Sequence, residues 1–364
     1  MRLISLSKCL PGQRLAKTIY SDSGVVLVGE GVELNQRMLD RLQSYNVTAV
    51  YIHDERTADI VVEDVISEAT RKEAMKTINE TFKTFHDEPQ RTQKFIQNKQ
   101  LGKQFRQVMN SVIDELKANR NAMSLLGSVC GTDHYIFQHS FNVALYSTAV
   151  GLQLQLNEKE LVELGLGALL HDIGKMMIPL EILQKPGRLS DEEFNEIKKH
   201  TEIGFEILRR QDDIPLLAAH CAYQHHERLD GSGYPRQLKE KDIHRYAKIL
   251  AVGDVFDALT THRVYRRAML PHQAMEILYS GVDKLYIKDN VQAFRDSIAL
   301  YPIGLGVTLN TGEEGVVIDY NRGAPSRPIV RILTDEKGNN ISVPFEIDLS
   351  KRLNIFIESC DLIM

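Results

Sequence analysis

The segment LGLGALLHDIGK, residues 164–175, is an apolar run that ends in a histidine, an aspartate and a lysine. The run predicts a buried helix, and Lys175 follows His171 by one helical turn on the same face. A histidine and a carboxylate at the end of an apolar wall are costly to bury unless a ligand or partner compensates them. The segment therefore predicts a helical core with a polar site at one helix end, although an adjacent histidine and aspartate alone also occur by chance.

Further residues that suit a metal site lie at separations that local secondary structure does not explain. They are His139, His200, the adjacent pair His225 and His226, and Asp254. Each lies in an amphipathic helical stretch, and any one alone is more often an ordinary hydrogen-bonded side chain. Together with His171 and Asp172 they supply imidazoles and carboxylates for two octahedral ions, bridged by Asp172 and a water-derived hydroxide.

The stretch HHERLDGSGYP, residues 225–235, combines the two adjacent histidines with acidic residues and a glycine-rich turn. Neighbouring residues of a helix point about a quarter-turn apart, so each histidine can serve a different ion of a close pair. Glu227 and Asp230 are expected to orient the ligands or the loop rather than bind metal.

The whole chain has 364 residues, of which 43% are hydrophobic and 26% are charged. This length and composition are typical of a protein that has one large hydrophobic core and smaller accessory domains. A formal net charge of −5 gives no overall basic field, so polymeric DNA or RNA is not an expected partner.

Cysteine usage and hydropathy predict the compartment. Cys9, Cys130, Cys221 and Cys360 are scattered without a CxxC pair, which favours reduced thiols in a cytoplasm. No apolar stretch approaches the length of a membrane span, and Lys8 interrupts what would be the apolar core of a signal peptide. The sequence therefore predicts a cytoplasmic protein without membrane insertion.

The first third of the chain predicts two units. Residues 1–62 predict a small α+β module, because the β-type runs GVVLVGE and VTAVYI flank the amphipathic segment LNQRMLDRLQSY. Residues 63–122 predict a helical connector with two apolar stripes at helical spacing, namely Met75, Ile78, Phe82 and Phe85, then Phe105, Val108, Val112 and Leu116. Two interpretations stay open: a homodimeric coiled coil, or helices that pack on their own domain, since the pattern is short and Pro89 interrupts it.

The rest of the chain predicts a helical domain and a β-rich end. Residues 123–297 predict consecutive helices, and ten of the twelve histidines lie between His134 and His272. Residues 298–364 predict strand pairs around an NTG turn and a KGNN turn. The predicted fold is mainly α, a multi-helix bundle with a small N-terminal α+β module and a small C-terminal β-barrel-like cap.

The combined motifs resemble the HD-GYP family, a branch of the HD-type metal-dependent phosphohydrolases. The resemblance depends on the candidate metal ligands, on Lys175 and on the HHExxDGxGYP pattern, and DALTTHRVYR, residues 257–266, is similar to the segment after the family's last metal-binding aspartate. It covers residues 123–297 and so implies an HD-type phosphohydrolase bundle. The tail that begins YPIGLGVTLNTGE is similar to one that often accompanies such domains.

This resemblance implies a cyclic di-GMP phosphodiesterase that opens the cyclic dinucleotide to pGpG and often continues to GMP. Its cofactors would be two divalent ions, iron or manganese, which activate a hydroxide. The metal ligands carried over are His139, His171, Asp172, His200, His225, His226 and Asp254. Some family members bind a third ion through a glutamate one turn before the first histidine, but Tyr135 occupies that position here, which favours two ions.

The resemblance also implies substrate contacts. Lys175 would lie over a scissile phosphate, and Arg263 and Arg266 would hold phosphate oxygens, a task suited to guanidinium groups. Asp257, one turn after the last ligand, is expected either to handle protons or orient a ligand, or to make a helix-stabilising hydrogen bond.

The glycine-rich loop has two compatible interpretations. Gly231 and Gly233 allow a dinucleotide to approach the backbone closely, or they form a tight turn that ends the helix. Tyr234 offers a ring face to a guanine, and Pro235 stiffens the turn.

Two other functions stay open. A different HD-type phosphohydrolase would act on nucleoside phosphates or on another cyclic dinucleotide, such as cyclic GMP-AMP. A non-catalytic receptor would bind cyclic di-GMP and signal to a protein partner, although the complete ligand set argues against lost turnover. The N-terminal module is compatible with sensing, dimerisation or packing, and packing is the default expectation for the cap.

Overall fold

The computed structural model describes residues 1–20, 26–45, 47, 49–62, 65–87, 101–119, 135–183, 185, 187–261, 268–321 and 323–361. The predicted domain boundary at 122/123, the break at Pro89 and the predicted phosphate ligands Arg263 and Arg266 lie outside the described residues.

The N-terminal residues form a small α+β module, as predicted. Its elements are β1 (Arg2–Ser5), β2 (Ile19–Tyr20), β3 (Val26–Val28), helix α1 (Gln36–Ser44) and β4 (Ala49–Ile52). Strand β1 pairs antiparallel with β4, and β2 pairs antiparallel with β3. The module has its own apolar core, in which Leu15, Leu34 and Leu42 are almost fully buried.

A bundle of helices makes up the middle of the chain. Its helices are α2 (Glu68–Asp87), α3 (Leu101–Ala118), α4 (Tyr135–Gln153), α5 (Glu158–Leu170), α6 (Leu180–Leu183), α7 (Asp191–Lys198), α8 (His200–Leu208), α9 (Leu216–Gln224), α10 (Arg245–Thr260), α11 (Pro271–Ser280) and α12 (Lys288–Ser297). Helix α5 lies at the centre, because every residue from Leu161 to Leu170 is buried. A reciprocal capping box between Asn157 and Glu160 fixes where α5 begins.

The described residues of the two predicted apolar stripes pack inside this bundle, and the side chain of Phe85 lies outside the described part. Ile78, Phe82, Phe105 and Leu116 are fully buried in one continuous core with α4 and α5. The stripe therefore packs on its own domain, the second of the two interpretations. A homodimer would need a surface other than these buried positions.

The C-terminal residues form a five-stranded antiparallel sheet. Its strands are β5 (Gly306–Leu309), β6 (Glu314–Asp319), β7 (Ile329–Thr334), β8 (Asn340–Asp348) and β9 (Ile357–Cys360), in the order β8-β7-β6-β5-β9. The NTG turn joins β5 to β6 and the KGNN turn joins β7 to β8, as predicted. The barrel-like closure of this sheet stays a prediction.

The two ends of the chain contact each other, which the sequence analysis did not predict. The Leu3 amide donates a 2.6 Å hydrogen bond to the Gly304 carbonyl. Ile60 and Val62 share an apolar cluster with Val316 and Leu333. In the part of the chain that the structure describes, no helix is both long and apolar enough to cross a membrane.

Candidate metal centre

The seven predicted metal ligands converge at one end of the bundle. His139 lies on α4, Asp254 lies on α10, and the other five come from the turn after α5, the start of α8 and the turn after α9, namely His171, Asp172, His200, His225 and His226. Six of these side chains are buried and His226 is half-buried. The structure therefore brings together every ligand that the resemblance implies.

Close packing at Gly174 positions two parts of this cluster. A Cβ atom at this position would lie 2.0 Å from the His200 carbonyl oxygen and 2.7 Å from the Gly204 nitrogen. Only a residue without a side chain lets the turn after α5 rest directly on α8. Asp172 Oδ1 consequently lies 3.4 Å from His200 Nε2.

The Asp172 carboxylate lies between four imidazole rings. Its Oδ2 is 3.6 Å from His139 Nε2 and 3.3 Å from His171 Nε2. Its Oδ1 is 3.4 Å from His200 Nε2 and 3.8 Å from His225 Nε2. Each oxygen thus faces a different pair of rings, which is the arrangement that a carboxylate bridging two cations requires.

Asp254 completes the cluster from the opposite helix. Its Oδ1 lies 3.1 Å from His139 Nε2, and its Oδ2 lies 3.9 Å from His226 Nδ1. The cluster contains three overlapping groups of three residues that could each hold a cation, because the ligand atoms within a group lie within 4.8 Å of one another. The groups are His200, His225 and His226; His139, His171 and Asp254; and His171, Asp172 and His225.

Backbone carbonyls fix the orientation of three rings. The Nδ1 atoms of His171 and His200 donate to the carbonyls of Ala168 and Ile197 at 2.8 and 2.7 Å. His225 Nδ1 likewise donates to the Ala222 carbonyl at 2.9 Å. Because the proton is on Nδ1, the lone pair of each Nε2 is free for a metal ion.

Asp257 holds the fourth ring. His139 Nδ1 donates to Asp257 Oδ2 at 2.7 Å, and Asn142 donates to Asp257 Oδ1 at 2.8 Å. Burial disfavours protonated His139, but its hydrogen bonds to Asp254 and Asp257 outweigh burial and raise its pKa to about 9. This geometry supports the ligand-orienting role among those expected for Asp257.

Two observations indicate that the buried nitrogen and oxygen atoms of this cluster are suited to bind metal ions. Among the described residues, His171 Nε2 and Asp172 Oδ1 are buried without a hydrogen-bond partner. His200 Nε2 and His225 Nε2 lie only 3.3 Å apart. Because the Nδ1 of each ring donates to a backbone carbonyl, both Nε2 atoms carry lone pairs, which face each other. Buried acceptors that converge without donors are costly unless a cation compensates them.

Burial and neighbouring charges shift the pKa of four more of these side chains in the direction that suits metal binding. Burial lowers the pKa of His200 to about 4, and burial with neighbouring histidine charges holds the pKa of His225 and His226 well below its ordinary value. Burial alone would raise the pKa of Asp172, but adjacent histidine and lysine charges hold it well below its ordinary range. Neutral imidazoles and ionised carboxylates are the forms that bind metal.

Lys175 lies at the edge of the cluster. Its Nζ donates to Asp172 Oδ2 at 2.6 Å, and its side chain is 19% exposed. The ammonium group therefore contacts both a buried carboxylate and the solvent side of the site. Its contact with a substrate phosphate stays a prediction.

Glu227 holds the glycine-rich loop against the site. Its buried carboxylate accepts hydrogen bonds from the backbone amides of Arg236 and Leu238 at 2.8 and 2.9 Å. Glu227 therefore orients the loop, as expected, while the Asp230 carboxylate accepts from the Ser232 amide at 2.9 Å.

The backbone conformation of the loop requires glycine at two positions. Gly231 has a φ of +86°, a conformation that favours glycine. A Cβ atom at Gly233 would lie 2.5 Å from the His226 carbonyl oxygen and from the Arg228 nitrogen. The close approach at Gly233 is thus to its own backbone, and contacts of Gly233 and Pro235 with a dinucleotide stay predictions.

Tyr234 contacts a predicted metal ligand as well as two residues that the sequence analysis missed. Its ring stacks on His226 with centroids 4.6 Å apart, so His226 covers one of its faces. Phe194 meets Tyr234 edge to face at 6.2 Å, and Lys198 Nζ lies 5.8 Å from the Tyr234 centroid. The only sequence signal was a single aromatic residue in the charged helix DEEFNEIK.

Comparisons with known proteins identify two regions of the chain. A family model described as an HD domain matches residues 110–290, and one described as a KOW domain associated with HD domain matches residues 306–361. The chain is 31% identical over 242 residues to a cyclic di-GMP phosphodiesterase of Pseudomonas aeruginosa, covering 65% of this chain and 58% of the relative. It is 34% identical over 168 residues to a 3'3'-cGAMP-specific phosphodiesterase of Vibrio cholerae, covering 46% of this chain and 36% of the relative.

A solved structure shares the fold. The HDG"Y"P protein from Bdellovibrio bacteriovorus superposes with a TM-score of 0.51 at 20% identity, covering 81% of this chain and 98% of that protein. The chain spans less than two thirds of the length of either curated relative. The family model identifies residues 110–290 as an HD domain, and the HHExxDGxGYP loop within it is similar to that of the HD-GYP type.

Proposed function

We propose that the chain is a metal-dependent phosphodiesterase that hydrolyses cyclic di-GMP, with pGpG or GMP as the end product. The observation that carries the proposal is the Asp172 carboxylate, whose two oxygens lie 3.3–3.8 Å from four histidine ring nitrogens. The activity in the name of the Pseudomonas relative supports cyclic di-GMP as substrate. We place this activity in the cytoplasm, as the scattered cysteines predict.

Two divalent ions, iron or manganese, fit the imidazole and carboxylate donors. His139, His171 and Asp254 would hold one ion, while His200, His225 and His226 would hold the other, with Asp172 between them. When bound, such ions supply Lewis acidity, which makes water nucleophilic near neutral pH and offsets the charge of a phosphodiester.

The chain's own residues prepare the remaining chemistry. Lys175 holds the Asp172 carboxylate in its ionised form and, at the edge of the cluster, stabilises negative charge on a phosphate. Arg263 and Arg266, outside the described residues, would hold other phosphate oxygens, as the family resemblance implies. Asp257 acts through His139, which makes it a positioning residue.

The test is hydrolysis of cyclic di-GMP by full-length protein purified without oxygen and analysed for metal. Cyclic GMP-AMP and GTP serve as parallel substrates, and the variants are Asp172→Ala and, as control, Asp289→Ala at an exposed position of α12. We expect pGpG or GMP from the wild type and from Asp289→Ala, about two ions per chain, and no turnover by Asp172→Ala.

Other outcomes select the rival functions. Retained hydrolysis by metal-loaded Asp172→Ala would overturn the assignment of the site. Faster turnover of cyclic GMP-AMP or GTP would make the chain a different HD-type phosphohydrolase. Tight binding of cyclic di-GMP without turnover would make it a receptor that acts through a protein partner.

A further inference from the structure

An aromatic corner lies beside the metal centre. It consists of Phe194 on α7, Tyr234 in the glycine-rich loop and Lys198 at the end of α7. The two rings meet at 80° with centroids 6.2 Å apart, so they form two walls at nearly a right angle. Lys198 Nζ lies over both rings, 4.7 Å from the Phe194 centroid and 5.8 Å from that of Tyr234.

Phe194 is only partly covered by its neighbours. The residue is 43% exposed on a helix of otherwise polar composition, so part of its ring is open to a ligand. The other wall, Tyr234, stacks directly on the metal ligand His226. The corner is therefore one ring contact away from the residues that would hold the ions.

Lys198 differs from the lysines around it. Lys199 Nζ pairs with the Glu196 carboxylate at 2.5 Å, and Lys185 Nζ pairs with that of Glu193 at 2.7 Å. Among the described residues, Lys198 Nζ pairs with no carboxylate and donates to the neutral amide oxygen of Asn195 at 3.1 Å. In the described part of the chain its positive charge thus contacts two ring faces and a neutral amide oxygen, contacts that a ligand can replace.

We propose that the aromatic corner is a guanine subsite and that Lys198 selects guanine over adenine. In this subsite the exposed ring of Phe194 stacks on the base, and Lys198 turns from the ring faces to the O6 and N7 acceptors of guanine. Base stacking on aromatic rings tolerates any base, whereas a lysine at O6 and N7 is specific, because adenine carries a donor amino group in place of O6.

The proposal deepens the proposed function and rests on it, because it names the base that the phosphodiesterase recognises. One guanine is enough to fill the corner. Cyclic di-GMP and cyclic GMP-AMP are therefore both expected to bind better than cyclic di-AMP.

The experiment compares three variants of the full-length, metal-loaded protein: Phe194→Ala, Lys198→Ala and the matched control Lys199→Ala. The kcat/KM of each metal-loaded protein is measured with cyclic di-GMP and cyclic di-AMP. The equilibrium Kd for both nucleotides is measured on the same proteins before metal is added, so that the nucleotide is not consumed. We expect Phe194→Ala to weaken binding of both nucleotides about tenfold. We expect Lys198→Ala to weaken only cyclic di-GMP, about tenfold, and Lys199→Ala to change neither.

The binding measurement separates this proposal from the proposed function. If the wild type binds cyclic di-GMP with these dependences but does not cleave it, the guanine subsite stands and the phosphodiesterase fails. If the wild type cleaves cyclic di-GMP and Lys198→Ala weakens both nucleotides equally, Lys198 contacts phosphate and the guanine subsite fails. Unchanged Kd values in Phe194→Ala, or no binding by the wild type, would also overturn the subsite.

Discussion

At the scale of single residues, the candidate metal centre is organised around one carboxylate that lies within 3.8 Å of four imidazoles. The rings keep their orientation because each Nδ1 donates to a fixed acceptor: a backbone carbonyl for His171, His200 and His225, and the Asp257 carboxylate for His139. Only the last of these acceptors is a side chain. The Asp257 carboxylate is therefore the acceptor that a substitution can remove.

Asp257→Asn should loosen metal binding without unfolding the protein. An amide keeps the size of the side chain but accepts only weakly from His139 Nδ1, so the ring becomes less basic and less well fixed. We expect metal affinity and turnover to fall about 10- to 100-fold. Metal titration and kcat measure this, with Asp289→Asn on the exposed face of α12 as control. Wild-type metal affinity in Asp257→Asn would show that the carboxylate does not act through the ligand.

The raised pKa of His139 predicts how stability of the metal-free protein depends on pH. Because its pKa rises from 6.5 to about 9 on folding, protonated His139 contributes stability fully below pH 6.5. This contribution is lost as pH rises through about 9. We expect metal-free wild type to lose more stability between pH 6.5 and 9.5 than His139→Gln does, measured by denaturant unfolding. Parallel curves for the two proteins would contradict the raised pKa.

At the scale of elements, the sequence predicted the helices better than their contacts. The uninterrupted apolar run before His171 and Asp172 predicted α5 and placed this pair at its end. The packing of the turn after α5 on α8 depends on Gly174, whose role is invisible without knowing that His200 lies opposite. The contact of Phe194 with Tyr234 could not be predicted either, because the two residues lie far apart in the sequence and meet only in the folded chain.

Gly174→Ala should separate the turn after α5 from α8. The added methyl group would overlap the His200 carbonyl oxygen, and backbone atoms on both sides cannot move away without shifting a ligand. We expect unfolding stability to fall by about 1–3 kcal/mol. Metal content should fall with it. Thermal unfolding and metal analysis measure these effects.

Gly204→Ala is the matched control for this contact. The same interface leaves 3.4 Å between an added Cβ at Gly204 and its nearest neighbours, and alanine favours the helix. Little change is expected in stability or metal content. Equal losses in the two variants would mean that the interface as a whole, rather than the approach at Gly174, positions the ligands.

At the scale of the whole molecule, the N-terminal module packs against the C-terminal sheet. The sequence predicted both terminal modules from their turns and strand runs, but their contact pairs residues separated by more than 200 positions. Such a contact leaves no local pattern. Arg331, whose guanidinium pairs with Asp59 at 2.6 and 2.8 Å, and the apolar cluster around Ile60 both lie at this junction.

This junction predicts that the terminal modules unfold together. Ile60 is 6% exposed and shares its cluster with Val316 on β6 and Leu333 on β7, whereas its neighbour Val61 is 69% exposed. Ile60→Asp places an unpaired charge in that cluster and should therefore release both modules, while Val61→Asp should release neither. Hydrogen exchange measures the difference: in Ile60→Asp, amides of β6 and β7 should exchange faster although the substitution lies in the other module. If exchange rises only in residues 1–62, the apolar cluster does not couple the two ends, and each module is stable by itself.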